Sequence, residues 1–204
     1  MKENVLGYYP SPENINHRNL ESELKKLCVI SGIKVVDIPQ YYLLPDEQKQ
    51  VYINNFQSAT LFIRSLPDKL VLTEPPFFVD AKTTVRTDTG NIAIELSSFF
   101  FSLQRCNRMG IASLFAYTLN NELRLFSPLI SRPSAIFIQP KWKNLQNNLF
   151  QEYALNIKQF FEINYFYHIP IHESETSGSG DPFVLVPIPK TIDSFDLAEL
   201  LKKR

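Results

Sequence analysis

The sequence predicts an α/β protein with a mixed central sheet flanked by helices. Three observations carry this. A helical apolar period runs through LESELKKLCVIS and gives way after Gly32 to the β-rich run IKVVDI. Two short β-forming runs, KLVL and FFVDAKTT, flank Glu74-Pro75-Pro76 and read as a hairpin. A second helical period, IAIELSSFFFSLQRCNRMG, leads into the almost unbroken apolar run IASLFAYTL, the pattern of a strand buried on both faces. Helices alternating with strands set the class.

The elements follow in order. Residues 1–17 read as an irregular N-terminal arm. Asn19 can cap a helix whose Leu20, Leu24, Leu27 and Cys28 share one face, and Gly32 closes it. Residues 33–38 read as a strand stopped by Pro39. DEQKQVYINNF reads as a short helix and ATLFIRS, 59–65, as extended chain. Strands 69–72 and 77–84 form the hairpin. VRTDTGN is a polar loop. Ile92, Leu96, Phe99, Phe100 and Leu103 fall on one face of a helix over 92–108, which Gly110 ends. Strands are expected at 111–119, 122–130 and 134–140. A long amphipathic helix covers 145–166, with Leu149, Tyr153, Ile157 and Phe160–Phe161 as its stripe. SETSGSGDP is a flexible loop, FVLVPI a last strand, and FDLAELLKK a terminal helix. The core is placed at 18–140, with 141–204 as a helix–strand–helix appendage of the same domain.

The chain has 204 residues, 44% of them hydrophobic, enough for one domain with a sizeable core. Lys and Arg number 21, as do Asp and Glu, which excludes a polybasic nucleic-acid chaperone but not an enzyme with a local basic groove. Cys28 and Cys106 form no CxxC pair, so they read as two reduced, buried thiols of a cytoplasmic protein. The N-terminus lacks the apolar segment of a signal peptide, and no run of about 18 apolar residues suggests a membrane span.

The chemistry is concentrated in Pro67-Asp68 and in Asp80-Ala81-Lys82, twelve residues from one Asp to the other. Asp80 and Lys82 are two apart on a strand and project to one face. Pairing that strand with its predecessor brings Asp68 beside Asp80. Two carboxylates at one point repel unless a cation lies between them. Hard oxygen ligands suit Mg²⁺, and the Ala81 carbonyl could complete the protein's share. Lys82 would then orient an attacking water or neutralise a phosphate. Asp80 and Lys82 also interrupt an apolar run that otherwise reads as buried, and buried charges need partners or a metal.

This pattern resembles the PD-(D/E)xK nuclease superfamily, to which restriction endonucleases and Holliday-junction resolvases belong. Asp68 matches the Asp of its Pro-Asp, Asp80 its second acid and Lys82 its lysine. Glu21, Leu24, Cys28 and Gly32 reproduce the E-x₂-L-x₃-apolar-x₃-G run that its junction resolvases carry before the first strand. The resemblance spans about residues 18–127. It implies a restriction endonuclease-like core and a nuclease that hydrolyses DNA with Mg²⁺, Mn²⁺ being able to substitute. It implies Asp68, Asp80, Ala81 and Glu21 as metal ligands and Lys82 near the attacking water. It also implies action as a homodimer. RNA as substrate stays open, as does a non-catalytic nucleic-acid- or protein-binding module that keeps the fold. The sequence departs from the family pattern by an insertion before Pro67 and by an extra acid, Glu95, in IAIELSS. Read with Ser97, Glu95 makes a degenerate Glu-x-Lys; Asp80-Ala81-Lys82 keeps the lysine and is preferred. Arg105 and Arg108, on the polar side of their helix, are candidate phosphate contacts, with Arg64, Lys69, Arg86, Lys141 and Lys143. His168 and His172 are separated by Pro170 and read as loop residues.

Overall fold

The computed structural model describes residues 12–38, 44–82, 85–86, 90–119, 122–139, 149–173 and 181–187. Helix α1 spans Pro12–Ile30 and strand β1 Lys34–Asp37. Helices α2 (Asp46–Asn54) and α3 (Ser58–Arg64) follow, then β2 (Lys69–Leu72), β3 (Phe77–Ala81), β4 (Val85–Arg86) and β5 (Asn91–Glu95). Helix α4 (Leu96–Met109) precedes β6 (Ala112–Leu119), β7 (Glu122–Phe126) and β8 (Ala135–Ile138). Helix α5 (Leu149–Tyr165), β9 (Ile171–Glu173) and β10 (Phe183–Pro187) complete the described chain.

The class is the expected one, mixed α/β, but the strands form two sheets rather than one. The first runs β1-β2-β3-β6-β7 and the second β4-β5-β10-β8-β9. In the first, β1, β2 and β3 form an antiparallel meander, β6 runs parallel to β3, and β7 returns antiparallel. Helix α4 lies in the crossover that lets β6 run parallel to β3. The order helix, meander, helix, parallel strand is the layout the resemblance implied.

Each face of the first sheet has its own core. On one face α1 sets Leu20, Leu24 and Cys28 against Val71, Phe77, Val79, Ala81 and Ala116. On the other, Phe115, Tyr117 and Phe126 join residues of α4, α5 and the second sheet in the larger core. Phe99 of α4 stacks over Phe115 at 6.2 Å, and Phe100 stacks on Tyr153 of α5 at 4.2 Å. The run Phe99-Phe100-Phe101 therefore builds core, as its helical spacing predicts. Both cysteines are free and buried.

Five local expectations change. The segment expected as the polar loop VRTDTGN opens with β4, Val85–Arg86, and ends on Asn91 of β5, and the pairing of these two strands accounts for both. Helix α1 begins at Pro12, inside the segment expected to be irregular, with proline at a helix's first position where its missing N–H costs nothing. ATLFIRS is helical, not extended: Thr60 turns its hydroxyl back onto the Asn55 and Gln57 carbonyls, and Phe62 meets Phe101 of α4 edge-on at 5.3 Å. Residues 92–95 form β5, not the first turn of α4. Ile92 and Ile94 are buried while Ala93 is exposed, a period of two, and hydrogen bonding to β10 selects it over the helical period. The short strand β9 had no sequence signal of its own; its pairing with β8 makes it. The expected terminal helix 195–203 lies outside the described residues, as do 83–84 of the expected hairpin strand.

Candidate nuclease site

The hairpin register decides which side chains meet. Lys69 lies opposite Val79, Leu70 opposite Phe78 and Val71 opposite Phe77. The ladder ends at the Lys69–Val79 pair, and Asp68 lies just before β2, near enough to Asp80 for its charge to act on that carboxyl. An Asp68 carboxylate oxygen, Oδ2, accepts the Ala81 N–H at 2.7 Å, and the Asp68 carbonyl accepts the Ile38 N–H at 2.9 Å. Asp68 is therefore tied by its side chain to β3 and by its backbone to the end of β1.

Asp80 sits beside Phe115 in the parallel β3–β6 ladder, on the side of the larger core. Its carboxylate is almost fully buried and pairs with Lys82 Nζ at 3.0 Å. The expected sharing of a face by Asp80 and Lys82 is realised as this ion pair. The Lys82 backbone donates to the Ala116 carbonyl at 2.7 Å, and its Nζ lies 5.9 Å from the Phe115 ring centre. The same Nζ reaches Ser98 Oγ at 3.5 Å, and Ser98 Oγ reaches Glu95 Oε2 at 3.4 Å. Glu95 thus joins the group from the start of α4. Ser98 was not foreseen; its signal is its place one helical turn after Glu95, on the same helix edge.

Burial pushes the Asp80 carboxyl up to about 7; Lys82 pulls it down, while Asp68 and Glu95 push it further up. Burial pulls the Lys82 ammonium down, but Asp80, Glu95 and Asp68 outweigh it, and its pKa lies above the ordinary lysine value. Three acids and one lysine thus act on one another around a buried Asp80, with Asp68 and Lys82 half-buried and Glu95 exposed.

Lys69 has the opposite orientation, as alternation along β2 requires. Its ammonium is buried on the α1 side of the sheet, 2.5 Å from Glu21 Oε2 and 2.8 Å from Asp37 Oδ1. Lys25 approaches the other Asp37 oxygen at 3.8 Å. Lys69 thus belongs to a four-residue ion network and not to a surface that could receive phosphate. Glu21, expected among the metal ligands, is held in that network by Lys69.

The expected phosphate contacts are scattered. Arg108 is exposed at the end of α4. Arg105 is not on a solvated face: it is buried and donates from Nη2 to the Ser65 carbonyl at 3.0 Å and to Ser102 Oγ at 2.9 Å. Arg64 lies 5.3 Å from the Phe56 ring centre. The side chains of Arg86, Lys141 and Lys143 lie outside the described residues. His168 and His172 have separate neighbours, Glu162 at 2.7 Å and the Phe137 ring at 5.4 Å.

No protein-family model matches the chain, and neither does any curated protein. Among solved structures, the chain is similar to Hjc, a Holliday junction resolvase of the archaeal hyperthermophile Archaeoglobus fulgidus. The likeness covers 56% of this chain and 75% of that one, at 9% identity and a TM-score of 0.38. A likeness so distant carries no functional weight.

Among the described residues, no three or more His, Cys, Asp or Glu side chains are grouped as a ready-made metal cage. Mg²⁺ does not need one. It is commonly held by one or two carboxylates, with waters and substrate phosphate filling the remaining positions. Asp68 and Asp80, two carboxylates close enough to act on one another at the end of the hairpin, fit that donor set. No helix among the described residues is long and apolar enough to cross a membrane.

Proposed function

We propose that the chain is a Mg²⁺-dependent nuclease that hydrolyses phosphodiester bonds in DNA. The observation that supports this is the Asp80–Lys82 ion pair at the end of β3, with Asp68 tied by its side chain to the Ala81 N–H between them and acting on Asp80 by its charge. Asp68 and Asp80 would hold the ion. A strand residue's amide and carbonyl point the same way, so the Ala81 carbonyl is directed to the side on which Asp68 accepts its N–H. When bound, the ion would withdraw charge from the phosphate oxygens.

The rest is the work of the chain's own groups. Lys82 would hold the attacking water or a non-bridging phosphate oxygen, since an ammonium has donors only and cannot ligate a metal. Water oxygen bonds to phosphorus, the bond to one sugar oxygen breaks, and the proton released by water balances the one taken up by the leaving oxygen. Ser98, between Lys82 and Glu95, limits where the ammonium can swing. Glu21 is the ligand in the implied set that the geometry favours least, because its carboxylate holds Lys69. We assign it to buttressing β2. Loss of Mg²⁺ binding in Glu21→Gln with normal folding would return it to the ligand set. Cutting both strands of a duplex takes two such sites, so two copies of the chain would act together.

The test is incubation with linear, circular, single-stranded and branched DNA, and with matched RNA, in Mg²⁺ or Mn²⁺. Cleavage of DNA that EDTA and Asp80→Ala both abolish is expected. Mg²⁺-independent DNA binding without cleavage would leave the alternative, a binding module on this fold. Absence of both binding and cleavage would remove the nucleic-acid reading.

A further inference from the structure

Arg105 is 4% exposed, on the inward side of α4. Its Nη2 makes two hydrogen bonds, to the Ser65 carbonyl and to Ser102 Oγ, while its Nε and Nη1 are buried without a hydrogen-bond partner among the described residues. Ser102 continues to Ser113 Oγ on β6 at 3.3 Å, and the Ser113 N–H donates to Cys106 Sγ at 3.2 Å. As packing alone this is a poor arrangement. A buried guanidinium with two unfilled nitrogens carries a desolvation cost that an apolar side chain of similar size would avoid.

What the guanidinium touches gives it another use. Ser65 is the C-terminal cap of α3, and it is followed directly by Leu66, Pro67 and Asp68. A cation at that carbonyl complements the C-terminal end of the helix. It also ties the start of the linker that delivers Asp68 to the same helix, α4, that presents Ser98 to Lys82. We propose that Arg105 is a positioning residue of the nuclease site, clamping the α3–β2 linker to α4 so that Asp68 is held beside Asp80. This rests on the nuclease reading above. Asp80 also lies near enough for its charge to support the buried guanidinium, partly offsetting the effect of burial. The clamp is therefore within electrostatic reach of Asp80, the partner of the acid it holds.

The test compares Arg105→Met, Arg105→Lys and Ser102→Ala with the unaltered chain, and runs Asp80→Ala alongside. A displaced Asp68 should lower kcat in Arg105→Met by about 10–100-fold, the scale of an ångström-sized misplacement, while KM for DNA stays within about twofold. The Mg²⁺ concentration for half-maximal activity should rise by about tenfold. Arg105→Lys should recover most of kcat, because one ammonium can still reach the Ser65 carbonyl. Ser102→Ala, which keeps the charge and removes one anchor, should lose about threefold in kcat with little change in Tm, and it serves if Arg105→Met does not fold. Wild-type kcat and Mg²⁺ dependence in a folded Arg105→Met, or in Ser102→Ala where Arg105→Met is unfolded, would overturn the proposal. So would an Arg105→Lys as impaired as Arg105→Met. If Asp80→Ala stays active, it is the nuclease reading that has failed; if Asp80→Ala is dead and the Arg105 variants are normal, only this inference has.

Discussion

Lys69, on β2, and Lys82, just past the end of β3, point to opposite faces of one sheet. Lys82 meets Asp80 and, through Ser98, Glu95; Lys69 meets Glu21 and Asp37. Their substitutions should therefore separate chemistry from stability. Lys82→Ala should cost about 10²–10³-fold in hydrolysis, the scale for removing one group that stabilises developing charge. Mg²⁺ binding, followed by calorimetry, should stay near normal in the same variant. Asp80→Ala should lose both. Lys69→Ala should keep kcat and lower folding stability by about 1–3 kcal/mol, because two carboxylates lose their buried partner. Full activity in Lys82→Ala with an inactive Lys69→Ala would mean that the wrong face carries the chemistry.

At the scale of elements, the ion network joining α1, β1 and β2 should shape the pH dependence of stability. Hydrogen bonding to Lys69 holds the Asp37 carboxyl below its ordinary 3.8, so its contribution is present above that value and is lost as pH falls through the folded pKa. Burial opposes the Lys69 ammonium, but Asp37 and Glu21 raise it above the ordinary 10.5. Its contribution is complete below that value and is lost as pH rises through the folded pKa. Thermal melts of the unaltered chain minus those of Lys69→Met should thus show a plateau that falls off at both ends; a difference independent of pH would refute the network's role. The end of α4 supplies another check. Gly110 is left-handed, φ 66°, and its N–H caps the Arg105 carbonyl. Gly110→Ala should cost about 1 kcal/mol, seen as a drop of a few degrees in Tm, with activity retained at moderate temperature.

Across the whole molecule, the second sheet binds the middle of the chain to the C-terminal end of the described residues. Strand β10, residues 183–187, lies between β5 and β8, and its Val184 and Val186 are fully buried beside Ile92, Ile94 and Ile136. Helix α5 adds Tyr153, Ile157 and Phe161 to the same core. A chain cut after residue 140 would lose β10 and α5 with their buried side chains and leave β5 paired on one side only, with β4. It would also lose the support of Glu95, which lies opposite Phe183 in the β5–β10 register. Such a truncation should give no cooperative melt and should bind a hydrophobic dye. A sharp melt from it would show that 18–140 folds alone.

The hairpin and the Asp80–Lys82 pairing were legible because their geometry is local. A two-residue spacing sets Asp80 and Lys82 on one face, and a short connection through Pro75-Pro76 leaves little choice of register for the hairpin. Helix α4 and strand β6 were legible for the same reason, each carrying its own period. What needed the tertiary structure lies far apart in the chain. IAIE satisfies both a helical and a strand period, and only β10, some ninety residues on, decides between them. Glu21 scans as a metal ligand and Lys69 as a phosphate contact until α1 is docked, when each becomes the other's counter-ion. Arg105 has the pattern of a solvated helix residue until the Ser65 carbonyl closes over it. Spacing along the chain sets a side chain's direction; the partner it meets there depends on which apolar faces the folded chain brings together.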